Sequence, residues 1–181
     1  MKRTIIFFAL FFLSVSASAQ VPGVGVSASV GGGLATGQGD FNDASGYNLG
    51  FKAKLSLPAV PLRPVVIAGF NNFSREGITL KNRILTFGAG VEYSPVSFGI
   101  VSPYLGLDAA MNILSSNATD AHGVTRFGGG VGIGAELNLP AFPVSFDLEA
   151  KYRFNNLVGK METELGRNHL QIGVTVGFKL F

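Results

Sequence analysis

Cysteine and tryptophan are both absent from the 181-residue chain. Without a thiol there is no disulfide framework, no thiolate metal site and no lipid-modified cysteine, so stability rests on chain pairing and burial alone. Charge is scarce as well. Asp, Glu, Lys and Arg make up 14% of the residues, against about 25% in ordinary soluble domains, and the mean hydropathy is +0.37. Long apolar runs are also missing: the longest, Ile5 to Leu13, is far short of the roughly 20 residues that a membrane-crossing helix needs. Nor does one sign of charge dominate. Lys2 and Arg3 account for two of the fourteen basic residues, leaving twelve against eleven acidic ones in the rest of the chain. The sequence pI of about 9.3 therefore comes partly from the first residues, and no basic patch for nucleic acid is present.

What stands at the start is a secretory leader. Lys2 and Arg3 precede the apolar run, which ends at the small residues Ala17, Ser18 and Ala19; this pattern predicts a signal peptide over residues 1–19, cut after Ala19 with Ala17 at the second recognition position. Residues 20–181 are then one domain.

That domain is written in a two-residue period. From Val144 to Phe154 the apolar residues Val144, Phe146, Leu148, Ala150, Tyr152 and Phe154 alternate with Ser145, Asp147, Glu149, Lys151 and Arg153, which makes a strand with two unlike faces. The period recurs and predicts eight strands, near 23–34, 46–57, 62–73, 83–94, 103–114, 125–139, 143–155 and 168–180. In the third, around Pro64 to Ile67, both parities are apolar, so its register is open by one residue. The eight prolines all fall at or beside alternate connections (Pro22; Pro58, Pro61, Pro64; Pro95, Pro103; Pro140, Pro143), as expected of a residue that cannot donate to a ladder. The other connections, 35–45, 74–82, 115–124 and 156–167, lack proline, are polar and are expected to be long loops. Short turns at one end, long loops at the other and an even strand number describe a closed barrel with both termini on the turn side.

Alternation alone does not say which face looks inward. Glycine does: Gly31, Gly33, Gly88, Gly90, Gly106, Gly128, Gly130, Gly132, Gly134, Gly173 and Gly177 sit on the polar parity, with Gly32 and Gly129 on the other, and a narrow eight-stranded interior has room for only some side chains. The polar parity also carries Lys52, Lys54, Arg63, Glu92, Asp108, Arg126, Glu136, Asp147, Glu149, Lys151, Arg153 and Lys179. These are expected to form an ion-pair network in the lumen, because a Lys or Arg turned to mid-bilayer lipid costs about 2–4 kcal/mol. Arg83 breaks the parity at the loop end of its strand, where snorkelling is cheap. Outward aromatics gather at strand ends, Tyr47, Phe70, Phe127, Tyr152 and Phe154 at one rim and Tyr93, Phe146 and Phe178 at the other, as interfacial girdles do.

On these features the chain resembles the small eight-stranded outer-membrane proteins of the OmpX, OmpW and OmpA-barrel type, part of the porin-like outer-membrane barrel family, from about Gly23 to Phe181. The most specific element is the last strand, Gln171 to Phe181, with Gly177, Phe178, Leu180 and the terminal Phe181 matching the alternating aromatic-ended signal of such proteins. The resemblance implies an all-β, eight-stranded antiparallel transmembrane barrel of up-and-down meander topology in the bacterial outer membrane. It also implies export through the periplasm, handling by the barrel-assembly machinery, and contact with outer-membrane lipid and lipopolysaccharide. No peptidoglycan-binding domain of the OmpA type is expected after the barrel, so wall anchoring is not implied.

Other patterns have plainer readings. Gly130 to Ala135 matches a dinucleotide fingerprint formally, but no helix pattern follows it, and a stripe of small lumen residues accounts for it. His122 and His169 are the two histidines, too few and too far apart for a metal site. Lipid-modifying barrels place a serine two residues from histidine, whereas here those positions hold Gln171 and Val124. Asp147 and Glu149 share a face with Lys151 and Arg153, which points to charge compensation in place of acid and base work. Asn72-Phe73-Ser74 and Asn117-Ala118-Thr119 are accidental acceptor motifs in a bacterial protein.

No catalytic, cofactor-binding or metal residues are therefore expected. The leading expectation is a non-enzymatic, monomeric outer-membrane barrel whose loops meet an extracellular partner, in envelope integrity, adhesion or surface protection. Two alternatives stand beside it: a narrow pore of OmpW type, and a secreted soluble β-barrel that binds a ligand.

Overall fold

The computed structural model describes residues 24–42, 44–75, 78–117, 123–162, 164 and 166–180. The predicted leader with Ala17 and Ala19, together with His122 and Phe181, lies outside the described residues. Eight strands are present: β1 (Gly25–Gln38), β2 (Ala44–Ser56), β3 (Leu62–Arg75), β4 (Ile78–Tyr93), β5 (Val101–Ser116), β6 (Val124–Asn138), β7 (Val144–Val158) and β8 (Asn168–Lys179). Each pairs antiparallel with the next, and β8 pairs back onto β1, closing the barrel. A single 3-10 turn, Gly39–Phe41, is the one other element among the described residues. No helix among them is long and apolar enough to cross a membrane, which says nothing of a strand-built wall.

The faces fall as the parity requires. Leu49, Phe51, Val66, Leu107, Ile133, Leu148 and Val174 are exposed on the outer wall, while Lys52, Lys54, Glu92, Asp108, Glu136, Asp147, Lys151 and Arg153 are buried inside. Apolar outside and ionic inside is the reverse of a soluble ligand-binding barrel. In β3 the register settles with Arg63 opposite Glu92, which turns Val65 and Ile67 into the lumen.

The strand positions match the period, but the loops are shorter than the sequence pattern implies. Thr36, Gly37 and Gln38 continue β1 against β8, and the polar stretch 74–82 is mostly a hairpin, with Arg75 paired to Ile78 across a register shift at Ser74/Arg75. The physical reason is that a ladder is made by backbone groups, so polar side chains leave the membrane without ending the strand. A second shift opposes Phe127 to Val158 and Gly129 to Phe154. This bulge sends two successive side chains, Asn155 and Asn156, inward.

The turn end is compact. Pro58, Pro61, Pro95, Pro140 and Pro143 lie in the three short connections, and Lys179 pairs with Ser27 beside them. Both ends of the described barrel chain therefore stand at the turn side.

Candidate functional site

The interior is filled in layers. Nearest the turns, ten side chains form one continuous ionic cluster: Lys52, Lys54, Arg63, Lys151 and Arg153 against Glu92, Asp108, Glu136, Asp147 and Glu149. Lys52 Nζ reaches Glu92 at 2.8 Å and Asp147 and Glu149 at 3.2 Å each. Lys54 Nζ lies 3.1 Å from Glu136 and 3.2 Å from Glu92, and Arg63 clamps the same two carboxylates at 2.7 and 3.1 Å. Glu149 hands on to Lys151 at 2.9 Å, which meets Asp108 at 3.1 Å, and Arg153 completes the chain on Asp108 at 3.1 Å. Five cations face five carboxylates, so the cluster is neutral as a whole. Charges this deep are tolerable only when paired and hydrogen-bonded.

Tyr104 is the centre of this layer, a residue that the charge pattern of the sequence does not single out. Its hydroxyl donates to Asp147 Oδ1 at 2.8 Å and accepts from Lys52 Nζ at 3.2 Å. Its ring has Lys52, Lys54 and Arg63 at 5.2, 5.3 and 5.5 Å from the centroid, within cation–π range. The signal that marks it is an aromatic on the inward parity, directly opposite Gly134.

Beside the cluster, under the glycine-rich β1 and β2 wall, lies a cavity of about 70 Å³ bordered by Asn48, Asn71, Arg153, Gln171 and Thr175. Asn71 Oδ1, Arg153 Nε and Thr175 Oγ1 have no hydrogen-bond partner in the protein. With these unpaired polar atoms at its border, the space is large enough for water.

The next layer is uncharged and polar. Thr86 donates to Asn112 Oδ1 at 2.8 Å, and Asn112 Nδ2 donates to the Asn155 carbonyl at 3.0 Å. Asn155 Nδ2 donates both to the Arg167 carbonyl and to His169 Nδ1, the latter at 2.8 Å. A carbonyl only accepts, which fixes the amide's orientation and leaves His169 Nδ1 as an acceptor. The ring proton is then on Nε2, facing Gln171 Oε1 at 3.4 Å. His169 is fully buried, with Phe73 edge-on at 5.1 Å, and its ring nitrogens face Asn155 and Gln171. No group of three His, Cys, Asp or Glu side chains among the described residues is placed to hold a metal.

Above this the lumen turns apolar. Ala35, Phe41, Ala44, Phe73, Ile84 and Leu114 form a buried plug, with Phe41 and Phe73 edge to face at 5.0 Å. Parity places Phe73 and Ile84 inward, but it does not announce an apolar core inside the loop end. Over the plug, the connection after β7 is tied down. Glu164 accepts from Arg126 at 2.7 and 2.8 Å and from Asn156 at 3.1 Å; Gly166 N–H donates to Asp40 at 2.9 Å, and Arg167 Nη1 to Asn82 at 3.0 Å. Burial alone would raise the Glu164 carboxyl, but the hydrogen bonds from Arg126 and Asn156, with the Arg126 charge, hold it below the usual carboxylate range. Burial lowers Arg167 from its ordinary value, and the Glu164 charge partly restores it.

Of the twelve charges assigned to the lumen, ten therefore meet in the cluster. Arg126 stands apart at the loop end with Glu164, and Lys179 is exposed at the turn-side rim; it lies below the last layer that closes around the axis. Asp147 is compensated by Lys52 and Lys54, and not by the Lys151 and Arg153 of its own strand. In the last strand Phe178 and Leu180 face outward and Gly177 faces in beside Ser145 and Ser29.

A sequence profile described as outer membrane protein beta-barrel domain matches residues 5–178. Among solved structures, Neisserial surface protein A superposes with a TM-score of 0.64 at 20% identity, over 86% of this chain and 96% of that one. A major outer membrane protein from Thermus thermophilus gives 0.58 at 14% identity, over 86% and 99%. The attachment invasion locus protein of Yersinia pestis gives 0.52 at 15%, over 85% and 98%. At these identities the likeness is one of fold. No curated protein matches the chain.

Proposed function

The chain belongs to the outer membrane protein β-barrel domain family, and from that premise we propose that it is a non-enzymatic, non-conducting outer-membrane scaffold whose work is done by the surface at its loop end. One observation carries this reading: the axis is blocked at three levels, by a neutral ionic cluster, a hydrogen-bonded Asn and His layer, and an apolar plug. Eight strands leave room for side chains and little else, and here the side chains take all but a cavity of about 70 Å³. The only buried histidine among the described residues is spent on Asn155 and Gln171, and the buried carboxylates are held by cations, which supports the non-enzymatic reading.

The loop-end surface is where a rigid wall can present variable contacts. Two proteins of this fold are named for such a place, a Neisserial surface protein and an attachment invasion locus protein, and the names support a surface role in adhesion or protection. Export through the periplasm, assembly through the C-terminal strand with Phe178 and Leu180, contact with lipopolysaccharide and a monomeric state belong to the same proposal.

Planar-bilayer recording on the purified, refolded protein tests it. The expected result is a silent membrane at neutral pH. Steady unitary currents that vanish in Lys52→Met or Arg153→Met would replace the scaffold by a narrow pore, the reading that a partly hydrated lumen would otherwise favour.

A further inference from the structure

On the outward parity the wall is bounded by polar side chains at the loop end only; the one exposed charge at the turn end among the described residues is Lys179, on the inward parity. At the loop end the outward residues become Ser45, Asn72, Ser74, Lys81, Arg83 and Thr125. At the turn end the outward series instead stays apolar, through Leu62, Tyr93, Leu137, Phe146 and Phe178, and continues into the turns themselves. The connections 57–61, 94–100 and 139–143 contain no charged residue. They expose Val60, Val96, Ile100, Phe98 at 68% and Phe142 at 64%. Turns in contact with water are ordinarily polar, and clustered exposed apolar side chains mark a contact surface.

The backbone of these turns is adapted to the same surroundings. Proline removes the N–H at positions 58, 61, 95, 140 and 143. Of those that remain, Val60 N–H donates to the Leu57 carbonyl, Ser94 to Pro61, Phe98 to Val101 and Phe142 to Leu139, at 2.8–3.4 Å. Unpaired donors are what keep irregular backbone out of lipid, and here many of them are absent or paired. An apolar groove of about 580 Å³ also runs from Pro95 and Val96 up the wall past Tyr93, Leu105 and Leu148, so the turns are continuous with the face that meets acyl chains.

We propose that the turn end is seated in lipid: Val60, Phe98 and Phe142 lie in the interfacial layer of the phospholipid leaflet on that side, and the barrel does not project turns into the aqueous space beyond. The inference rests on the membrane-barrel reading and goes beyond it in fixing depth and asymmetry.

The absence of native cysteine makes the test direct. Single cysteines at Val60, Phe98 and Phe142, with references at Val174 on the outer wall and Lys160 in the loop, are labelled with an environment-sensitive dye. Each variant is refolded into phosphatidylcholine nanodiscs, where both faces meet solvent. A heat-modifiable gel shift confirms that each is folded. The expected result is that the turn labels are quenched by lipid brominated near the carbonyls and are severalfold less accessible to acrylamide than the Lys160 label. Turn labels as accessible as Lys160, with the Val174 label still quenched by lipid, would overturn the proposal while leaving the membrane barrel intact. Escape of the Val174 label from lipid quenching would sink the barrel's membrane placement and the proposal with it. Turn labels that become protected only on adding a soluble periplasmic fraction would assign the surface to a protein, against the lipid reading.

Discussion

The ring of Tyr104 occupies the space that a side chain on Gly134 would need. The two residues are cross-strand partners, and a Cβ placed on Gly134 would fall 2.3 Å from the Tyr104 Cζ. Gly134→Ala should therefore push the ring off its site and loosen its bond to Asp147, at an overpacking cost of about 1–3 kcal/mol. Gly50→Ala, whose Cβ meets nothing nearer than 3.8 Å, should be tolerated much better. Urea titration of the refolded protein, read by the gel mobility of the folded form because tryptophan is absent, separates the two.

Buried and peripheral charges should differ sharply in worth. Glu92 accepts from Lys52, lies at ion-pair distance from Lys54 and Arg63, and is 2% exposed. Glu92→Gln strands positive charge in the lumen and is expected to cost about 3–5 kcal/mol. Glu164→Gln breaks a single pair at the loop end, where about 0.2–1 kcal/mol is typical. Equal losses in the same urea titration would show that the cluster is not the stabilising centre of the interior.

Acid should release the loop end. The Glu164 carboxyl is lowered in the folded protein, so its contribution is complete above the ordinary glutamate value of about 4.3 and is lost as pH falls through the depressed folded value. Amide exchange at Arg167, whose N–H donates to the Asn156 side chain that Glu164 holds, corrected for intrinsic rates, is expected to accelerate across that interval. In Glu164→Gln the acceleration should already be present at neutral pH and show no further pH dependence.

Loop removal should leave assembly untouched. Thr36 and Gly37 belong to the ladder, Phe41 fills the plug and Asn156 is buried in the bulge, so an excision that spares all of them takes residues 159–166 and no more. Such a variant should refold with the heat-modifiable shift of the parent protein and lose surface binding. Failure to refold would mean that the loops, and not the wall, complete the structure.

Strand number, strand faces and the charged lumen were legible because a lipid-facing wall imposes period two, and because a misplaced Lys or Arg costs more than local propensity can offset. What was not legible arises between strands. Asn156 turns inward through a bulge that no parity rule announces, and the pairing of Asp147 with Lys52 and Lys54 spans nearly a hundred residues of chain. The loop at 74–82 is shorter than its polar stretch for a related reason: polarity marks the edge of the membrane, whereas the strand ends only where backbone pairing does. The Phe41 plug was hidden because its residue lies in a polar connection, and its burial depends on Phe73 and Leu114 from elsewhere in the chain.

The seam between β1 and β8 makes the wall indivisible. A version short of one hairpin would have to re-form the seam at a smaller girth or expose two bare edges to hydrocarbon, where each unmatched N–H or C=O costs several kcal/mol. Lineages carrying this architecture can thus lengthen or trim what lies beyond the membrane one residue at a time, while the circumference itself can change only in whole hairpins.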